Sequence, residues 1–330
     1  MANISLLQGI KMAAKEVHNY ITDHPIVVSY EVTLSCNCDC RHCDLGGLVK
    51  DEKQIKPEEY GVLTRQLKPV AAQISGGEPL LRKDIADIVK AIQQAGPEYV
   101  ILVTNGALLN ESNYLQLREA GVNQFSVSLD FPDERHDEFR QRPGLYKRLE
   151  HSLPRLAKLG FRDIILNTAI TKANLKEILP LAEKASEWGV DISYSAYTAL
   201  RTGNKDYGLN NGEDLEILHR AINELVVLKK RGANLVNPEL TLRDTLKFFE
   251  QGYMPNCQAG IRFLVIMPDG SLVPCSLHRR KYLSQKEMIE DFSRTNRCGD
   301  CYVAIRSYSE MSLLSHARNL PTYIREMVLH

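Results

Sequence analysis

Short apolar segments alternate with amphipathic ones along the first two thirds of the chain. The apolar segments are β-branched and six to eight residues long, which is typical of buried strands. The stretches between them carry apolar residues at helical spacing, and several end at glycine, as helices do. This alternation predicts a parallel sheet with right-handed crossovers. The six predicted strands span residues 26–33, 70–75, 99–104, 124–130, 163–170 and 191–196.

Six strands are too few for a closed eight-stranded barrel, so an open partial barrel and a doubly wound sheet both remain. In either architecture, ligands gather at the carboxyl ends of the strands. A cysteine-rich loop follows the first strand, and polar segments end or follow the next four. We expect these segments to converge on one mouth. They are "SGGEP" (75–79), "TNG" (104–106), "SLD" (128–130) and residues 167–171.

We expect residues 26–212 to form this strand and helix unit, and the remaining segments to lie before and after it. Residues 1–25 form an amphipathic helix, whose apolar face can dock on the protein or touch a lipid surface. A helical segment is predicted over 213–255, a small turn-rich domain over 256–305 and a helical tail over 306–330. Loop 197–211 and the tail are candidate lids over the mouth. The apolar positions of the first helix are Leu6, Ile10, Ala14, Val17 and Ile21, and the candidate lid residues are Tyr197, Arg201, Asn204, Asp206 and Tyr207.

Composition and charge exclude several classes of protein. The chain has 330 residues, 44% hydrophobic and 25% charged, as in ordinary globular proteins. Its net charge of +0 leaves no basic footprint for nucleic acid. No apolar run reaches the roughly 18 residues of a membrane span, and Lys11, Lys15 and Glu16 interrupt any secretory signal. We therefore expect a cytoplasmic protein, in which eight reduced cysteines are more typical of metal sites than of disulfides.

Four of these cysteines lie within "LSCNCDCRHCDLGG", residues 34–47. Cys36, Cys40 and Cys43 have the spacing C-x3-C-x2-C, and Cys38 lies between them. Structural zinc sites need four ligands, usually as two separated pairs. An iron–sulfur cube has four irons, normally with one thiolate each, so three cysteines would leave one iron open to another ligand.

C-x3-C-x2-C directly after the first strand of a β/α repeat resembles the signature of the radical S-adenosylmethionine (radical SAM) superfamily. The resemblance covers roughly residues 26–200 and implies a partial (β/α)6 barrel. It implies that Cys36, Cys40 and Cys43 hold a [4Fe–4S] cluster, that SAM chelates the open iron, and that Cys38 is a spare thiol. Reductive cleavage of SAM would then give a 5′-deoxyadenosyl radical, which takes a hydrogen atom from the substrate.

The segment "SGGEP" resembles the motif that binds the amino group of SAM in this superfamily. Its glycines remove side chains where backbone must approach a ligand closely, and its carboxylate suits an ammonium group. Read from the residues alone, the same segment is a turn between strand and helix. Weaker resemblances place three further segments near the methionine, ribose and adenosine of SAM. The expected SAM contacts are Gly76, Gly77, Glu78, Pro79, Asn105, Ser128, Asp130 and Asn167.

Two residues near these motifs have alternative roles. Arg140 matches a recurrent stretch of the superfamily, but a surface ion pair explains it equally well. Asp130 would otherwise be a helix cap or turn residue. No general acid or base can be assigned from the sequence.

The other four cysteines lie near the end of the chain. "MPDG" between two apolar runs predicts a hairpin that carries Cys257 and Cys275, and the pair Cys298 and Cys301 follows. Four thiolates can hold zinc or an iron–sulfur cluster. The arrangement is similar to the twitch domain, the short form of the SPASM extension in radical SAM enzymes. That similarity implies an auxiliary [4Fe–4S] cluster with four cysteine ligands, which passes electrons to or from the substrate.

The expected function is therefore that of a radical SAM enzyme acting on a small-molecule or lipid-like substrate. Dehydrogenation, C–C bond formation and rearrangement all fit, and a flavodoxin- or ferredoxin-type protein is the expected reductant. A peptide-modifying maturase is the second possibility. The alternatives from other classes are an iron–sulfur electron carrier and a zinc-binding structural protein.

Overall fold

The computed structural model describes residues 5–209 and 211–310. They contain eight strands and eleven α-helices, and each of the first six strands is separated from the next strand by one or more helices. The strands are β1 (Val27–Glu31), β2 (Ala71–Ser75), β3 (Tyr99–Thr104), β4 (Gln124–Ser128), β5 (Ile164–Ile170), β6 (Asp191–Ala196), β7 (Phe263–Ile266) and β8 (Leu272–Val273). The helices are α1 (Leu6–Thr22), α2 (Pro57–Leu67), α3 (Ile85–Gln94), α4 (Glu111–Ala120), α5 (Arg135–Arg140), α6 (Leu145–Ala157), α7 (Ile178–Trp188), α8 (Gly212–Lys230), α9 (Glu239–Gln251), α10 (Gln285–Met288) and α11 (Ala304–Ser309).

All strands belong to one sheet, in the order β6-β5-β4-β3-β2-β1-β7-β8. β1 to β6 are parallel to one another, which confirms the six predicted strands and their orientation. The predicted hairpin forms β7 and β8 and adds to the sheet, because β7 pairs in parallel with β1. The backbone N–H of Ile55 also donates to the carbonyl oxygen of Pro268 (2.8 Å), so the hairpin shares its sheet and its contacts with the first unit.

The two faces of the sheet differ in chemistry. A row of fully or nearly buried apolar side chains crosses five strands on the face that packs against the helices. Many of the residues that alternate with this row carry polar side chains, and these lie on the opposite face together with apolar residues such as Ile101 and Ile165. This second face leads to the carboxyl ends of the strands, where the candidate site lies. The apolar row is Tyr30, Ile74, Leu102, Phe125 and Ile164, and the polar side chains include Ser29, Glu31, Ser75, Ser126, Ser128, Asn167 and Ser193.

Helix α1 docks on the protein, but not through its apolar stripe. Its buried residues are Met12, Glu16 and Asn19. The Asn19 amide donates to the carbonyl oxygens of Pro25 and Lys68, each at 2.8 Å. Within the predicted stripe, Ile10, Val17 and Ile21 are 58%, 44% and 74% exposed, and Ala14 is exposed as well. The side chain of Leu6 lies outside the described side chains.

The segments after β6 differ in detail from the prediction. The single helical segment expected over 213–255 is two helices, α8 and α9. They are separated because the strand-like residues between them bond to β6, with the backbone N–H of Val236 donating to the carbonyl oxygen of Ile192 (2.9 Å). The predicted tail helix begins as α11, and its continuation over 311–330 lies outside the described residues. No helix among the described residues has the length and apolar character to cross a membrane.

Candidate active site

The first cysteine loop follows β1 at the carboxyl end of the sheet. Cys36, Cys38 and Cys40 are buried and Cys43 is half-buried. The loop is closed by the backbone N–H of Cys36, which donates to the carbonyl oxygen of Gly47 (2.8 Å). The structure therefore gathers all four thiols in one compact loop.

Cys38 lies between two of the predicted ligands. Its thiol hydrogen-bonds with Cys36 and Cys40, and this contact, although burial opposes it, lowers the pKa of both to about 7. The same two contacts, together with burial, raise the pKa of Cys38 itself. Cys36 and Cys40 thus have the most thiolate character in the loop, and thiolates are the form that binds iron.

Several N–H groups point at the sulfur atoms. The backbone N–H groups of Cys38 and Leu45 donate to Cys36 Sγ and Cys43 Sγ, each at 3.4 Å. Asn105 Nδ2 lies 3.9 Å from Cys36 Sγ, and Arg140 Nη1 lies 3.7 Å from Cys40 Sγ. Such N–H···S contacts favour thiolates and tune iron–sulfur clusters, so each predicted ligand of the first set lies in a suitable environment.

Gly76 and Gly77 bring the loop after β2 against the cysteine loop. A Cβ atom on Gly76 would lie 2.2 Å from the carbonyl oxygen of Thr33, and one on Gly77 would lie 2.1 Å from that of Ser35. The backbone N–H of Gly77 donates to the Thr33 oxygen (2.7 Å), and that of Glu78 to the Ser35 oxygen (2.8 Å). The close approach that excludes side chains here is therefore to the cysteine loop itself.

Glu78 has a carboxylate that is fully buried within the protein. It accepts hydrogen bonds from Thr104 Oγ1 (2.7 Å) and from the backbone N–H groups of Asn105 (2.8 Å) and Leu80 (3.1 Å). Burial raises its pKa, against the effect of these bonds. The carboxylate joins the loops after β2 and β3, and Pro79 begins the 3₁₀ turn Pro79–Leu81 that follows.

Asn105 continues this connection toward the cysteines. Its Nδ2 donates to Asn37 Oδ1 (2.6 Å), and its Oδ1 accepts from the backbone N–H of Ala107 (2.9 Å). The loops after β1, β2 and β3 are thus joined by direct hydrogen bonds, as expected for segments that share one mouth.

Asp130 and Arg140 form a buried pair beside the cysteine loop. Arg140 Nε donates to Asp130 Oδ2 at 2.6 Å, and both side chains are almost fully buried. Burial would raise the pKa of Asp130, but the Arg140 guanidinium outweighs it and holds that pKa below its usual value. The surface ion pair considered for Arg140 is therefore wrong, because the side chain joins the end of β4 to Cys40.

Ser128 and Asn167 are register partners on β4 and β5 and lie on the polar face of the sheet. Asn167 Oδ1 is buried and has no hydrogen-bond partner among the described residues. A buried acceptor without a partner on the polar face of the sheet can take a hydrogen bond from a ligand.

Loop 197–209 folds over the mouth. Tyr207 contacts Phe139 edge-on at 5.6 Å, and Phe139 stacks on His42 of the cysteine loop at 4.6 Å. Arg201 forms ion pairs with Asp44 and, at 3.7 Å, with Glu31. The remaining lid candidates make local contacts, as when Asp206 N–H donates to Asn204 Oδ1 (2.8 Å) and Tyr197 Oη donates to the Asn204 carbonyl oxygen (2.9 Å).

The second cysteine set is assembled from three separate segments. Asn296 Nδ2 donates to the carbonyl oxygen of Cys257 (3.0 Å), and Asn296 Oδ1 accepts from the backbone N–H of Cys298 (3.0 Å). Buried Arg306 donates to the carbonyl oxygen of Cys301 (2.6 Å). Burial and the neighbouring Cys257 and Cys298 raise the pKa of Cys275 to about 11.

The donor chemistry of both sets is purely thiol. The backbone N–H of His278 donates to Cys275 Sγ (3.3 Å), a contact of the kind seen in the first set. Within the described ranges, no three His, Cys, Asp or Glu side chains converge as ligands of a single metal ion. Thiolates are ligands of both iron–sulfur clusters and zinc, so the residue types of the second set are compatible with either group, although the described side chains as placed do not surround a single ion.

Sequence reasoning missed Glu31, Asp44 and Arg279, which meet Arg201 in the mouth. Glu31 is the last residue of β1, and the sequence predicts that strand to be buried. A charged residue is unusual in a buried strand, and it could have indicated a functional role for Glu31. A separate cavity of about 530 Å³ opens at the amino ends of the strands, next to Gln8 and Phe161 and away from both cysteine sets.

Comparison with known proteins identifies relatives of this arrangement. The family model for the radical SAM superfamily matches residues 30–201, just over half of the chain. An AdoMet-dependent heme synthase from Methanosarcina barkeri is 35% identical over 195 residues, which are 56% of this chain and 54% of that protein. The chain thus spans about half the length of this curated relative. A probable GTP 3′,8-cyclase from Methanothermobacter marburgensis is 25% identical over 83% of this chain and 92% of its own length.

Among solved structures, Streptococcus suis SuiB bound to its precursor peptide SuiA superposes with a TM-score of 0.60. It is 22% identical, and the match covers 81% of this chain and 63% of SuiB. At this identity the likeness concerns the fold alone.

Proposed function

Since this chain belongs to the radical SAM superfamily, we propose that its mouth binds a [4Fe–4S] cluster and SAM and removes a hydrogen atom from a small-molecule substrate. Cys36, Cys40 and Cys43 hold the cluster in this proposal. The observation that carries it is the convergence of N–H donors on these sulfur atoms, from the loops after β1 and β3 and from α5. When bound, the two groups supply one-electron chemistry that the side chains of proteins cannot provide.

The protein positions SAM with the loops that surround the cysteines. The backbone of Gly76–Pro79 lies against the cysteine loop and provides the edge for the amino acid part of SAM. Asn105, Ser128, Asp130 and Asn167 lie around the same mouth and are the proposed contacts to the rest of the molecule. The buried Asn167 Oδ1 supports this assignment, since it has no other acceptor role among the described residues.

The six parallel strands form a partial (β/α)6 barrel in this proposal. Arg201 follows β6 and reaches Glu31 on β1, although four strands separate β6 from β1 in the sheet. Such a contact supports a sheet that curls toward closure, as the sheets of barrels do.

Residues 256–305 act as a twitch domain with an auxiliary [4Fe–4S] cluster on Cys257, Cys275, Cys298 and Cys301. Asn296 and Arg306 hold the segments that carry these cysteines, which supports a site rather than four unrelated thiols. Its role is electron transfer to or from the substrate, and a flavodoxin- or ferredoxin-type protein supplies the first electron.

A small-molecule substrate is favoured by the curated relatives, whose names point to heme and to GTP. The exposed stripe of α1 supports a lipid-like substrate or a peripheral lipid contact as a second candidate. A peptide is the third candidate, and a plain electron carrier would not need the SAM contacts described above.

The test is SAM cleavage by anaerobically reconstituted protein under a chemical reductant. Wild type is expected to release 5′-deoxyadenosine, and a variant with Cys36, Cys40 and Cys43 all changed to Ala is expected to release none. Cys38→Ala is the matched control and is expected to retain cleavage. Cleavage that survives the triple substitution, or a wild type that binds iron but never cleaves SAM, would contradict the proposal.

A further inference from the structure

We infer that the substrate carries an anionic group, a carboxylate or a phosphate, which Arg201 and Arg279 bind between the two cysteine sets. The inference rests on the proposed function, because it assumes that the mouth is the substrate site. It adds the chemical class of the substrate and two residues that select it.

Arg201 and Arg279 meet at Asp44, which directly follows Cys43. Arg201 comes from the loop after β6, and Arg279 lies four residues after Cys275. Both form ion pairs with the Asp44 carboxylate, and the Arg279 contact measures 3.7 Å. The two guanidinium groups therefore approach one carboxylate beside the first cysteine set, Arg201 from the loop after β6 and Arg279 from the segment of the second set.

These guanidinium groups have donors to spare. Arg201 Nη2 and Arg279 Nη2 are buried and make no hydrogen bond to any described residue, whereas Arg201 Nε is in close contact with the Asp44 carboxylate. His278 Nε2, next in the chain to Arg279, is buried and unpaired in the same way. A buried charged donor without an acceptor is costly, so such a group in a mouth indicates a ligand that supplies oxygen acceptors.

The carboxylates nearby do not take up these donors. Asp44 and Glu31 balance the two positive charges, but Arg201 Nη2 and Arg279 Nη2 lie 3.7 Å from the nearest oxygen atoms of Glu31 and Asp44, which is beyond hydrogen-bond distance. An oxyanion can meet the N–H groups directly, because guanidinium donors match carboxylate and phosphate oxygens in geometry.

Glu31 gives the site a second feature. Its side chain is 3% exposed, and its Oε2 is buried with no hydrogen-bond partner among the described residues. Glu31 Oε1 lies 3.7 Å from Arg201 Nη2, so Glu31 positions that guanidinium. The free oxygen faces the same region and accepts an O–H or N–H from the substrate that the arginines hold.

The test measures binding of simple anions to the reconstituted holoprotein loaded with SAM. Isothermal titration calorimetry under anaerobic conditions compares inorganic phosphate, pyrophosphate and succinate, which separates phosphate from carboxylate recognition. Wild type is expected to bind at least one of them in the millimolar range. Arg201→Gln and Arg279→Gln are each expected to weaken that binding about tenfold or more, because each removes charged donors.

Arg280→Gln is the matched control. Arg280 is next in the chain to Arg279, but its side chain is 69% exposed and pairs with Asp291 at 2.8 Å. This variant is expected to bind the anion as wild type does. Iron content and unfolding midpoint, measured for all variants, show whether Arg201→Gln and Arg279→Gln are folded.

The inference is overturned if none of the three anions binds to folded wild type, or if the two arginine variants bind as tightly as Arg280→Gln. SAM cleavage by wild type is measured on the same samples. A wild type that cleaves SAM but binds no anion refutes this inference alone, whereas one that cannot cleave SAM refutes the proposed function.

Discussion

The backbone N–H of Asn105 donates a hydrogen bond of 2.8 Å to the carboxylate of Glu78, across two neighbouring strands. The side chain of Asn105 lies 3.9 Å from Cys36 Sγ and bonds to Asn37. A carboxylate in the loop after β2 thereby positions a residue that touches the first cysteine set. Glu78 therefore acts through these neighbouring residues.

Glu78→Gln is expected to weaken SAM binding about tenfold. An amide in place of the carboxylate turns one acceptor into a donor and sets it against Thr104 Oγ1 or the N–H of Asn105, which costs about 1–3 kcal/mol. SAM affinity is measured by equilibrium dialysis on reconstituted protein. Glu58→Gln, a change at an exposed acid of α2, should leave the affinity unaltered. Equal affinities in the two variants would show that Glu78 does not position the SAM site.

Cys38→Ala is expected to retain the iron of the first set, whereas Cys40→Ala is expected to lose it. Cys38 contacts both Cys36 and Cys40, so the substitution changes the surroundings of the cluster but not its ligands. Iron, acid-labile sulfide and the electron paramagnetic resonance spectrum with and without SAM are the measurements. If Cys38→Ala contains as little iron as Cys40→Ala, Cys38 is a ligand of the cluster and the prediction is wrong.

Changing both Cys298 and Cys301 to Ala is expected to lower the iron content from about eight to about four atoms per chain, since each cluster holds four irons. The first set lies in another segment and should keep its iron. Metal analysis by mass spectrometry reports zinc in the same samples. If the variant loses one zinc ion and not four irons, the second cysteine set binds zinc and no auxiliary cluster.

Lipid contact through α1 is tested with Ile10, Val17 and Ile21 all changed to Ser. If the exposed stripe enters a membrane surface, wild type sediments with phospholipid vesicles and the triple variant binds more than tenfold more weakly, because burial of each side chain contributes about 1.5 kcal/mol or more. Leu48→Ser is the control, since Leu48 is 76% exposed and lies beside the first cysteine loop at the carboxyl end of the sheet, whereas α1 contacts the amino ends of the strands. Equal sedimentation of wild type and the triple variant would show that the exposed stripe of α1 does not bind lipid.

The features that the sequence predicts well are local ones. The strands from β1 to β6 follow from runs of apolar and β-branched residues, and these runs need no knowledge of distant contacts. The pairing of β7 with β1 joins residues more than two hundred positions apart, and neither strand carries a signal for its partner. Arg140 illustrates the same limit, because its contact with Cys40 depends on how α5 returns to the first loop.

The sequence predicts which face of a helix docks on the protein only where burial of apolar side chains determines that face. In α1 the apolar stripe is exposed, and the docked face relies on Asn19, which satisfies the carbonyl oxygens of Pro25 and Lys68. Polar docking of this kind leaves no hydrophobic period in the sequence. Motifs behave similarly: "SGGEP" predicts where a loop lies, but the direction of the Glu78 carboxylate depends on donors from β3.

The free energy of unfolding is expected to decrease as the pH is lowered, because of His136. Its side chain is fully buried beside Asp130, and burial lowers its pKa to about 3. The unfolded chain binds a proton near pH 6.5 while the folded protein stays neutral, so this contribution is complete above pH 6.5 and is lost progressively as pH falls toward 3. Between pH 7 and pH 5 the free energy of unfolding should drop by about 2 kcal/mol from this group. Urea unfolding at both pH values measures the difference.

His136→Asn, whose side-chain oxygen can still accept from the backbone N–H of Asp130, should show a smaller drop in the free energy of unfolding. His151→Asn, at an exposed position, should show the same drop as wild type. An unchanged drop in His136→Asn would assign the pH dependence to other groups.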